Sequence, residues 1–147
     1  MKKHVYRRQD HEPPLAISAW GWRYHHMGIP VTQPVPGEVY LPHLKIYVCG
    51  FQRSPFGIEW MRFEDDCPVH GLVRQLPHIA FEVDDLDREL SRHEFRILSP
   101  PGIPGEGIRV AMIEHNGAPV ELIEFREKGR EDERETGGQG EGSRSDE

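Results

Sequence analysis

The chain has 147 residues, 36% of them hydrophobic and 29% charged, and a formal net charge of -7. That length suits one ordinary domain or two fused small modules with a real core. No apolar run approaches the ~20 residues that span a bilayer, and the charge argues against nucleic-acid binding by whole-surface attraction.

In chain order, residues 1–23 read as an N-terminal extension. Its start, MKKHVYRRQDHEPP, is basic, but no apolar stretch follows, so it does not read as a signal peptide. Trp20, Trp22 and Tyr24 alternate at its end. They fit either a wall for a bound ligand or an N-terminal strand packed on the core. Prolines at 30, 34, 36 and 42 deny a full helix to the stretch between Val31 and Leu44.

The strings LKIYV (44–48), IAFEV (79–83), IRVAMI (108–113) and VELIEF (120–125) are rich in β-branched and aromatic residues and read as strands. One helix fits, from Asp84 or Asp85 to about His93. Asp85 can cap it, and Leu86 and Leu90 share a face. Asn116-Gly117 is a hairpin turn between the last two strands.

From Arg126 onward no aliphatic or aromatic residue occurs, so residues 127–147 are expected to form a disordered acidic tail. Residues 129–147 hold seven acids against three arginines, a charge of -4 that leaves -3 for the remainder. The only cysteines, Cys49 and Cys67, form no CxxC pair and no disulfide framework, which favours a reducing cytoplasm. Neither has a neighbour that would activate a thiolate. No GxGxxG, P-loop or GxSxG motif is present.

The nine histidines lead further. HHMGIPV (25–31) aligns with PHIAFEV (77–83), LKIYVCGF (44–51) with IRVAMIEH (108–115), and SPFGIEWMRF (54–63) with NGAPVELIEF (116–125). Three weak matches in the same order point to a duplicated unit. The alignment pairs His26 with His78, Glu59 with Glu121, and Lys45 with Arg109. Two imidazoles and two carboxylates suit a divalent ion such as Zn²⁺, Ni²⁺, Mn²⁺ or Fe²⁺.

On a regular strand His78 shares a face with Ala80 and Glu82, and Glu121 shares one with Ile123 and Phe125. The opposite, apolar face would then take the helix. By the same alternation His25 should point away from His26 and be structural. His115 reads as a strand-end residue, either at the mouth of the site or merely solvated. Lys45 and Arg109 read either as exposed cations or as holders of an anionic ligand.

The segments HHMGIPV, LPHIAFEVDDLD and APVELIEF resemble the vicinal oxygen chelate superfamily, which includes glyoxalase I, methylmalonyl-CoA epimerase, extradiol dioxygenases and fosfomycin or bleomycin resistance proteins. The resemblance covers about residues 24–126. It implies an α+β fold in which two βαβββ-type modules, about 24–66 and 76–126, form a cupped mixed β-sheet around one divalent metal. Carried over by motif, the metal ligands are His26, His78 and Glu121, with Glu59 in the more variable fourth position. The first module departs from the pattern, because its proline-rich segment leaves little or no room for the usual helix. A homodimer and a small-molecule substrate are also implied.

Three functions follow as expectations. The first is a metal-dependent lyase or isomerase of the glyoxalase and epimerase type, in which Glu59 or Glu121 acts as base and the metal stabilises an enediolate or enolate. The second is an Fe(II) dioxygenase with two histidines and one carboxylate, favoured if Glu59 points away from the site. The third is a non-enzymatic ligand- or drug-binding module of the same fold. The choice among many substrates lies beyond the motifs.

Overall fold

The computed structural model describes residues 13–126; residues 1–12 and the expected acidic tail at 127–147 lie outside the described residues. A short helix α1 (Leu15–Ser18) precedes four strands, β1 (Arg23–Pro30), β2 (Val39–Leu41), β3 (Ile46–Cys49) and β4 (Ile58–Phe63). After helix α2 (Gly71–Gln75) come β5 (His78–Glu82), helix α3 (Leu86–Arg92), β6 (Arg96–Gly105), β7 (Ile108–His115) and β8 (Ala118–Phe125). Among these, no helix is long and apolar enough to cross a membrane.

All eight strands form one sheet in the order β2-β3-β4-β1-β5-β8-β7-β6. In each half the first strand lies parallel to the last: β1 on β4, and β5 on β8. The halves join through the antiparallel pair β1/β5. The order is therefore the same read outward from the centre in either direction, which is the duplication expected from the sequence. The sheet curls into a cup. His43, in the connection after β2, donates from Nε2 to the Pro104 carbonyl of β6, at the opposite edge of the strand order.

The registers correct one part of the repeat. Ile46 pairs with Phe63, and Ile108 pairs with Phe125, so both strands of this hairpin are offset by 62 (108 − 46 and 125 − 63). The expected match of Lys45 with Arg109 is thus two residues off, and the true counterpart of Lys45 is Gly107. Both have positive φ, 58° and 80°. Both carbonyls accept from the far end of the hairpin: Glu64 donates to Lys45 at 3.0 Å, and Arg126 to Gly107 at 2.7 Å.

The core lies on the outer, convex face of the second half. Trp22, Phe81, Val83, Leu86, Ala111, Ile113 and Leu122 form one buried cluster. Full burial of a leucine stabilises by about 1.5–3 kcal/mol, and both Leu86 and Leu122 are fully buried. Helix α3 starts where expected: the Asp85 side chain accepts from the Arg88 amide at 3.1 Å, and acids fill the first turn. Seven residues are too few for a stable isolated helix; packing on this cluster supplies the remainder.

The first half has no such helix, as its prolines predict. Residues 31–38 run irregularly. On that outer face Glu38 holds Arg62 through two bonds, at 2.9 and 2.7 Å, while the Arg62 guanidinium stacks 3.9 Å from the Tyr47 ring.

Candidate metal centre

The four central strands, β4, β1, β5 and β8, each contribute one expected residue: Glu59, His26, His78 and Glu121. Paired residues in a sheet point to the same face. Gly28 pairs with both Glu59 and His78, making one row across the sheet. Ala80 pairs with both His26 and Glu121, making the next. The rows are equivalent in the two halves, each with a small residue at its centre, and both face the inside of the cup.

Gly28 is required by contact. A Cβ built there would stand 2.2 Å from His78 Cε1 and 2.7 Å from Nδ1 and Nε2, so the ring lies directly over the missing side chain. Ala80, its counterpart, is 0% exposed. Glycine inside a strand is the usual sign of such an approach; the Gly in HHMGIPV was the available signal.

His78 Nε2 lies 3.0 Å from Glu121 Oε1, and His26 Nε2 lies 3.5 Å from the same oxygen. Glu59 Oε1 lies 3.5 Å from His26 Nε2. His26, His78 and Glu121 each offer a ligand atom, all within 4.8 Å of one another. Two donors each about 2.1 Å from one tetrahedral ion stand about 3.4 Å apart, so these separations fit ligands that share an ion. The donor set also fits. His78 is 2% exposed and turns Nε2 to Glu121, and two imidazoles with a carboxylate are the donors a borderline divalent ion takes; its Nδ1 has no hydrogen-bond partner among the described residues.

The two carboxylates differ in charge environment. Burial alone would raise the Glu121 carboxyl, but hydrogen bonds and positive charge from His26 and His78 prevail and hold it at about 2. Burial pushes the Glu59 carboxyl up, and the charge of Glu121 adds to this against the opposing pull of His26 and His78. Burial disfavours charge on His26, yet Glu121 and then Glu59 turn the balance and raise it.

The expectation that His25 points away from His26 is overturned. The register shifts between Tyr24, opposite Phe81, and His26, opposite Ala80, leaving His25 as an extra, bulged residue. The bulge turns it toward its neighbour, and His25 Nδ1 lies 2.8 Å from His26 Nδ1. Its ring stacks on Phe51 with centroids 4.8 Å apart and an interplanar angle of 16°. Burial and then the charge of His26 push the His25 imidazole down, against Glu121 and Glu82. His25 and Phe51 are thus part of the site, and nothing in the sequence announced the bulge.

The remaining candidates lie elsewhere. Trp22 is buried on the outer face and donates from Nε1 to Glu89 Oε1 at 2.8 Å; Trp20 packs on Trp22, His93 and Phe95. The tryptophans are core, not a wall of the cup. Tyr24 is exposed and donates to the Phe56 carbonyl at 2.7 Å. Arg109 is engaged by Asp87 and Glu124 on the helix face, and Lys45 by Asp66, so neither is aimed at a ligand in the cup. His115 is exposed at the end of β7. A groove of about 430 Å³ lined by Val31, Thr32, Arg62 and Arg74 contains none of the four site residues.

No protein-family model matches the chain, and no curated protein matches it in sequence. Solved structures do share its fold. A hypothetical protein from Bacillus halodurans C-125 is 20% identical with a TM-score of 0.55, over 73% of this chain and 96% of that one. A methylmalonyl-CoA epimerase from Mycobacterium tuberculosis is 20% identical with a TM-score of 0.51, over 72% of this chain and 89% of that one. At this identity the likeness concerns the fold, and an epimerase of the superfamily that the motifs resemble is among the structures that share it.

Proposed function

We propose that the chain binds one divalent metal through His26, His78 and Glu121, with Glu59 beside them, and is a lyase or isomerase of the glyoxalase and epimerase type. Its substrate would be a small oxygenated molecule with an acidic C–H next to a carbonyl. The observation that carries this reading is the convergence of two histidines and two glutamates from equivalent positions of the two halves. A bound divalent cation supplies Lewis-acid stabilisation of charge building on a substrate oxygen.

The chain's own residues divide the remaining work. Glu121, 3.0 Å from His78 Nε2 and 3.5 Å from His26 Nε2, serves as a permanent ligand. Glu59 contacts His26 but stands outside the trio whose donors lie within 4.8 Å. Pointing into the site yet outside that trio, Glu59 is the group placed to take the proton from the substrate carbon and return it. Because Glu59 points into the site, the dioxygenase reading gains nothing from it.

Metal analysis of wild type, His78→Ala and Glu121→Ala tests the site. Wild type should carry about one divalent ion, and both variants should lose it while staying folded. Equal metal content in all three would sink the assignment. Solvent deuterium incorporation into thiol hemithioacetals, 2-oxo acids and branched acyl thioesters then tests the chemistry. A metal-loaded protein that exchanges none of them would move the reading to a binding module.

A further inference from the structure

A metal-ligating histidine usually donates its other ring N–H to a fixed acceptor, which sets the tautomer and the plane of the ring. His26 turns Nε2 toward Glu59 and Glu121 and presents Nδ1 to His25. Two imidazole nitrogens 2.8 Å apart share one hydrogen, with one ring donating and the other accepting. If His26 keeps its Nε2 lone pair for a metal, its Nδ1–H must be the donor. His25 then accepts at Nδ1 and carries its own hydrogen on Nε2.

The geometry points to His25 as a positioning residue that selects the metal-binding tautomer of His26 and holds its ring, an inference that rests on the proposed metal site. Three features fix His25 for this task. The bulge brings it beside His26. Phe51 stacks on one side of its ring at 4.8 Å. Phe125 flanks it with centroids 5.6 Å apart. The arrangement is particular to the first half, since the Nδ1 of His78 has no partner among the described residues. A regular strand would have sent His25 to the convex face and left His26 Nδ1 without this neighbour.

The test is Co²⁺ titration against a chromophoric competitor, together with the visible spectrum of the bound Co²⁺. His25→Phe keeps the stack on Phe51 and removes the acceptor; His25→Asn places an amide oxygen where Nδ1 stood. His25→Leu is a second acceptor-free variant should the Phe variant fail to fold. His25→Phe should bind Co²⁺ about 10–100-fold more weakly with a shifted spectrum, and His25→Asn should recover to within about threefold of wild type.

If His25→Phe binds like wild type with an unchanged spectrum while His78→Ala fails to bind, the inference falls and the metal site stands. His25→Asn as weak as His25→Phe would also overturn it, because the acceptor would not be what matters. A wild type that takes up no Co²⁺, or a His78→Ala variant that binds normally, would overturn the site itself.

Discussion

The two halves of the sheet carry the same pair of strands, one with a histidine and one with a glutamate turned into the cup, under different cover. In the second, α3 lies on the convex face and buries Leu86 against Phe81, Val83 and Leu122. In the first, an irregular stretch and the Glu38–Arg62 pair on Tyr47 stand in its place. Yet Gly28 meets Glu59 in the same way as Ala80 meets Glu121. The position of the site side chains is therefore set by parallel pairing of the first and last strand of each half. Helix cover contributes to stability and leaves that register unchanged.

The largest expected effect sets the two glutamates against each other. Glu121→Gln should weaken divalent-metal binding by more than the about 10–100-fold typical of an outer partner, because it removes an anionic donor close to both histidines. Glu59→Gln should keep the metal and slow substrate proton exchange by about 10²–10⁴-fold. Isothermal titration and deuterium incorporation measure the two. Equal metal loss in both variants would make the halves functionally equivalent and break the distinction.

Next in size is the helix itself. Leu86→Ala should cost about 2–5 kcal/mol in urea unfolding, since the side chain is fully buried in the core cluster. Val35→Ala, at a half-buried residue of the mostly exposed stretch that stands where the first helix would be, should cost less than about 1 kcal/mol. Similar values would mean that the first half is closed as tightly as the second.

Gly28→Ala and Ala80→Gly probe the two row centres. The methyl group of Gly28→Ala would stand 2.2 Å from His78 Cε1, so the ring must move. Overpacking of this kind costs about 1–3 kcal/mol, and metal affinity should fall with it. Ala80→Gly removes a methyl from a position that already accommodates it and should cost about 0.5–1 kcal/mol. Intact metal binding in Gly28→Ala would show that His78 is free to move aside without consequence.

What was legible in the sequence had local chemistry behind it. Asp85 and the Leu86/Leu90 spacing marked α3, and Asn116-Gly117, both at positive φ, marked the last hairpin. The duplicated His and Glu positions brought all four side chains to one face. Strand β6 was hidden by Pro100, Pro101 and Pro104, which an edge strand with three register shifts tolerates. The slip that matched Lys45 with Arg109 went undetected because a two-residue shift keeps every side chain on its proper face. The bulge at His25 reversed the one residue for which strict alternation was wrong, and only cross-strand pairing reveals such a residue.

A change at the cap of α3 separates helix from site most cleanly. Two carboxylates accept from backbone amides at the N-terminus of α3: Asp85 from the Arg88 amide at 3.1 Å, and Glu124, reaching across from β8, from the Leu86 amide at 3.1 Å. Asp85→Ala removes one cap and should cost about 1 kcal/mol in urea unfolding. Glu124 still satisfies the first amide, and Leu86 remains packed, so the helix should persist. The cap lies on the convex side, whereas His26, His78 and Glu121 stand on the concave side of strands whose register does not involve it. Divalent-metal affinity in Asp85→Ala should therefore match wild type even as stability falls. A parallel loss of affinity would mean that α3 sets the register of β5 and β8 after all, and the comparison between the halves would have to be rewritten with the helix as part of the site.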